Sequence, residues 1–117
     1  MDDTTKFRSV LKDYVDPAAL WHVIEPYRTT FSKTLVFDGG FSLEPLIGEK
    51  TSFDDFKTNW ATTFSAKLEA LRNAAVHARE KRHSNSLAPT RKNHDLLWPW
   101  ATLALRAAEQ VMIFQKR

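Results

Sequence analysis

From Phe53 to the residue before Pro89 the chain has no glycine or proline. Over that stretch Phe53, Phe56, Trp60, Phe64, Leu68, Leu71 and Ala75 follow one another at steps of three and four residues. Apolar residues at that spacing line one face of an α-helix. Nothing else in the chain constrains the fold as strongly, and the pattern predicts a helix running to about His83. Ser52 stands where an N-cap belongs, and Asp54 and Asp55 fill the first turn, where carboxylates suit the positive end of the helix dipole.

The other segments read as helices around that rod. Phe7, Val10, Leu11 and Tyr14 predict a first helix over Thr5–Val15. Asp16-Pro17 pairs a capping residue with proline at the first helical position. A second helix then carries Leu20, Ile24, Tyr27, Phe31 and Leu35 on one face, kinked or split by Pro26. Phe37-Asp38-Gly39-Gly40-Phe41 is a turn by composition. A short hairpin of 33–37 with 41–43 would be marginal alone, so the segment to Lys50 reads as loop. Ser84–Asn93 is a polar loop. A last helix from near Asp95 to Gln115 buries Leu96, Trp100, Leu103, Ala107, Val111 and Phe114, with Pro99 in its first turn or at a local kink. The expected fold is all-α: one domain over residues 1–117, a bundle of four or five helices.

Composition narrows the class. Hydrophobic residues make up 43% of 117 residues, with four Trp and eight Phe, enough for a packed core. Three glycines argue against a turn-rich β sandwich. The absence of cysteine excludes disulfides and thiolate metal sites. No apolar run reaches spanning length and no signal peptide is visible, so no membrane role and a cytoplasmic location are expected. Charge is uneven. Residues 1–66 hold seven Lys/Arg against ten Asp/Glu, whereas residues 67–92 hold seven against two. A basic block beside an acidic half suits a polyanion on one face. A Lys/Arg-rich helix end that is simply solvated would read the same way.

The reverse of the long helix carries Asn59, Thr63, Ala66, Ala70, Asn73 and His77. None is large, and Lys and Glu, which normally cover a solvated face, are missing. Small residues let two helices approach, so this face is expected to meet another helix, from this chain, a second copy or a protein partner. Asn73 and His77 lie four apart and stack along it, with Arg72 on the flank. A histidine passes protons near neutral pH, and an arginine beside it holds a phosphate and offsets charge growing on it. Together they suffice for RNA cleavage by the 2′-hydroxyl. One His cannot conveniently serve both the attacking and the leaving oxygen, whereas two copies about a two-fold axis can.

Arg72-Asn73, three residues and then His77 resemble the signature of the HEPN superfamily: an arginine, usually followed by a polar residue, with a histidine shortly after. The resemblance implies a small all-α bundle with the motif late in a long helix, ahead of a final helix. It implies a metal-independent endoribonuclease of toxin–antitoxin, CRISPR-linked or phage-defence type, with its site composed across a homodimer. Arg72 and His77 would be catalytic, and Asn73 would support or orient them. Apart from the resemblance, the basic helix end would set Arg79, Lys81, Arg82 and His83 against RNA phosphate, while His83 at a helix end also reads as a solvated terminus. Several toxin-type members have tyrosine two positions after the histidine, where this chain has Arg79.

A second reading stays open: a non-catalytic helical binding module, in which the small-residue face docks a partner and the basic end sits on nucleic acid or an acidic surface. A subunit of a nucleoprotein complex or a phage-encoded inhibitor would look this way. The other candidates read as structural. His22 suits a partly buried, satisfied position, and His94 caps or solvates a helix start. Trp98-Pro99-Trp100 packs a core or plugs a partner. The four histidines show no metal spacing, and no phosphate loop follows Gly39-Gly40, so no metal and no cofactor are expected.

Overall fold

The computed structural model describes residues 3–77 and 90–115. Its described elements are, in chain order, α1 (Asp3–Tyr14), α2 (Pro17–Ile24), a 3-10 turn (Glu25–Tyr27), the single turn α3 (Arg28–Phe31), β1 (Leu35–Val36), β2 (Ser42–Leu43), α4 (Phe53–His77) and α5 (Arg91–Gln115). The fold is mostly helical, with one small hairpin where the sequence reads as loop.

Local chemistry sets most of the boundaries. Asp16 caps α2, its Oδ1 accepting from Ala18 N–H at 2.9 Å, with Pro17 at the first helical position. Pro26 splits the second helix as expected: α2 tightens into the 3-10 turn and resumes as α3. Leu20, Ile24 and Phe31 of the expected face are buried, but Tyr27 is exposed, because the tighter turn shifts its phase. Ser52 caps α4, its Oγ accepting from Asp55 N–H at 3.2 Å.

The hairpin pairs Leu35 with Leu43 and Val36 with Ser42. Gly39 and Gly40 close it at φ 107° and 95°, a region that a Cβ disfavours. Two strands of two residues would not hold alone. Here Leu35, Phe37 and Leu43 are buried, and Phe37 stacks on Phe41 at 5.6 Å, so the core supplies the missing stability.

α1 and α2 each pack against both α4 and α5. Trp100 sits at the centre, its ring 5.2 Å edge-on from Phe31 and stacked 6.3 Å from Phe64. At one end Trp21 meets Phe53 and Phe56, and the Arg28 guanidinium lies 5.5 Å above its ring. Arg28 also donates from Nε to Glu49 O at 2.9 Å and from Nη2 to Thr51 O, which fixes the loop ahead of α4.

Two findings correct the expected long helices. α4 is broken at Asn59 (φ −139°, ψ 23°). Its core-facing stripe then runs Trp60, Phe64, Leu68, Leu71 and Ala74, with Leu68 and Leu71 half-buried, leaving the expected Ala75 exposed. Four turns of about 3.6 residues from Trp60 end nearest position 74, so the period selects Ala74. α5 starts at Arg91 rather than near Asp95, because Thr90 is the cap: its Oγ1 accepts from Asn93 N–H at 3.2 Å. Asn93, expected in a loop, is 2% exposed. Its Oδ1 accepts from Asp38 N–H and its Nδ2 donates to Asp38 O, both at 2.8 Å, while Thr90 Oγ1 donates to Asp38 Oδ2 at 3.0 Å. The start of α5 is thereby clamped to the tip of the hairpin.

Candidate functional site

Arg72 and Asn73 lie in the last turns of α4, and both are exposed. Leu71 packs toward the core just before them and Ala74 is buried just after, so the turn that presents them is anchored on both sides. No hydrogen bond or ion pair joins Arg72 to another described residue. His77 is the last residue of α4. On a regular helix, positions 73 and 77 fall on one face, while positions 72 and 77 differ by about 140° in phase. The helix therefore stacks Asn73 under position 77 and sets Arg72 on a separate flank. Arg79, Lys81, Arg82 and His83 lie outside the described residues.

The small-residue face of α4 is only partly open. Asn59, Ala66 and Asn73 are exposed. Ala70 packs against the chain's own core, and Thr63 is half-buried, its Oγ1 donating to Asn59 O at 3.2 Å. Thr63 and Asn59 also line a groove of about 180 Å³ with Leu46, Ile47, Gly48 and Thr51. The chain's own 46–51 segment thus takes one end of the face expected to meet another helix. The groove is smaller than the ~300–1,000 Å³ usual for small-molecule sites. Neither it nor the notch at Asp13–Asp16 includes Arg72 or Asn73.

The remaining candidates resolve individually. His22 is exposed, not partly buried, because α2 turns Leu20, Val23 and Ile24 inward. His94 is exposed in the first turn of α5, its Nδ1 3.5 Å from Asp95 Oδ1. Asp54 pairs with Lys57 at 3.2 Å, and both side chains are exposed. Trp100 is core, whereas Trp98 faces outward. Among the described residues no group of three or more His, Cys, Asp or Glu could hold a metal ion, and no helix is long and apolar enough to cross a membrane.

Sequence reasoning missed an outward row on α5: Trp98, Leu105 and Met112, all more than half exposed. Their seven-residue spacing was the available signal; it went unread because the same helix carries an equally regular core stripe. No protein-family model, curated protein or solved structure matches this chain.

Proposed function

We propose that the chain is a HEPN-like, metal-independent endoribonuclease whose site is completed by a second copy of itself. The observation that supports this reading is the position of Arg72 and Asn73: exposed on α4, between two anchored residues, with Arg72 held by no described partner. A guanidinium that no described residue holds is available to a phosphate. The phase difference between positions 72 and 77 supports sharing, since an Arg from one copy can face a His from the other.

In this reading one His77 takes the proton of an RNA 2′-hydroxyl. The 2′-oxygen attacks the adjacent phosphorus and the bond from phosphorus to the 5′-oxygen breaks. The second His77 protonates the departing 5′-oxygen, leaving a 2′,3′-cyclic phosphate and a 5′-hydroxyl. Arg72 offsets the charge that grows on the phosphoryl oxygens, and Asn73 orients the histidine. Arg79, Lys81, Arg82 and His83 hold the RNA backbone. A toxin–antitoxin or phage-defence setting fits such an activity.

One observation favours a second reading, the non-catalytic binding module: Arg72 and Asn73 stand on an open surface outside both described grooves. The readings separate when purified protein is incubated with a structured RNA in EDTA and the fragment ends are analysed. The ribonuclease gives cyclic-phosphate ends, which His77→Ala removes while RNA binding persists. Binding without any cleavage by the wild-type chain assigns it to the module class.

A further inference from the structure

Helix α5 is apolar on two sides. Leu96, Trp100, Leu103, Ala107 and Val111 pack into the core. On the opposite side Trp98, Leu105 and Met112 are 57%, 61% and 59% exposed, with exposed Ala101 and Ala108 between them and Ile113 beside them. Of the seven large hydrophobic residues exposed among the described ones, four are on this helix. Residues seven apart drift by only about 20° around a helix. They therefore form a nearly straight row about 21 Å long at 1.5 Å per residue. A solvated helix face carries charge instead, and a contiguous apolar row marks a contact surface.

We propose that this row is a self-docking surface: two copies pair antiparallel through α5 about a two-fold axis at Leu105. The axis sets Leu105 against itself and Trp98 against the partner subunit's Met112, a large ring against a flexible thioether at each end. The charges choose the direction. Glu109 borders the row and Arg106 lies farther round the helix. An antiparallel pair brings them level with the partner's Ala101 and the partner's Ala104. A parallel pair would align Glu109 with the partner's Glu109 and the two helix dipoles with each other.

The area fits a second copy of modest affinity. Four large side chains, each more than half exposed, offer on the order of 400 Å² per copy. Two copies then remove roughly 800 Å² before the alanines and side-chain stems are counted, which approaches the ~1,200 Å² lower limit of specific interfaces. The pairing stands on α5 and does not rest on the ribonuclease reading.

Sedimentation of the full chain from about 1 to about 500 μM tests it, with a monomer–dimer midpoint expected in the micromolar range. Leu105→Glu and Leu105→Lys should each stay monomeric with unchanged helical circular dichroism, since Leu105 is exposed. Their equal mixture should dimerise, because the axis sets the two new charges face to face. The chain has no cysteine, so introduced thiols report direction. Trp98→Cys mixed with Met112→Cys should oxidise to a cross-linked pair, and neither should link to itself. A wild-type chain monomeric throughout the range overturns the proposal. So does self-linking of Trp98→Cys, which would mean parallel pairing, and so does a monomer that instead binds neutral phospholipid vesicles through the row.

Discussion

Replacing Asn93 with alanine removes the amide that clamps the hairpin to the start of α5. Asn93 is 2% exposed, and its two hydrogen bonds to the Asp38 backbone are both 2.8 Å long. A protein hydrogen bond contributes about 1 kcal/mol net, and a buried group left without a partner costs about 1–3 kcal/mol. Two backbone groups lose their partner here. Asp38 is only half-buried, so water reaches part of the gap and keeps the cost below the upper sum. The expected loss is therefore about 2–4 kcal/mol. Urea unfolding should show it as a midpoint lower by more than about 1 M with an unchanged slope, and hydrogen exchange should show a faster Asp38 amide. Lys92→Ala is the control: its ion pair to Asp38 (3.5 Å) joins side chains 58% and 44% exposed, both within reach of water, so the loss should stay under about 1 kcal/mol. An Asn93→Ala chain within about 0.5 kcal/mol of wild type would refute the clamp.

Further outcomes follow from the same packing. Trp100→Ala should destabilise by about 3–5 kcal/mol, because it empties the contact between Phe31 and Phe64. Trp98→Ala should change the stability of the dilute chain by less than about 1 kcal/mol in the same urea titration. Gly40→Ala should cost about 1–2 kcal/mol, since φ 95° disfavours any Cβ, and calorimetry measures it. Arg72→Ala should leave stability within about 0.5 kcal/mol of wild type. In the ribonuclease reading it lowers the cleavage rate more than RNA affinity, whereas Arg82→Ala weakens binding and flattens its salt dependence.

The helices were legible where one physical signal acts alone. Asp16-Pro17 and Ser52 sit where capping chemistry puts them, and the three-and-four spacing marked Phe56, Trp60 and Phe64 as core. Legibility failed where distant residues decide. The break at Asn59 carries no proline or glycine to announce it. Thr90 caps α5, and Asn93 is buried because both reach Asp38, more than fifty positions away. The hairpin is stable because the core covers Leu35, Phe37 and Leu43, which its two short strands do not reveal. At the candidate site the sequence supplied the residue types and the helical phase of Arg72 and Asn73. It also suggested a free face on α4, part of which the 46–51 segment covers, while α5 holds the larger exposed apolar surface.

A shared site has a specific signature. Wild-type and His77→Ala chains are each purified, mixed in equal amounts at a concentration where the wild-type chain pairs, and assayed on structured RNA in EDTA. A site that needs His77 from both subunits is intact only in wild-type pairs, about a quarter of the random pairs, so the wild-type chains should lose about half of their cleavage on mixing. Wild-type chains that keep their full cleavage in the mixture would contradict sharing. A wild-type chain that binds this RNA without cutting it would remove the ribonuclease reading.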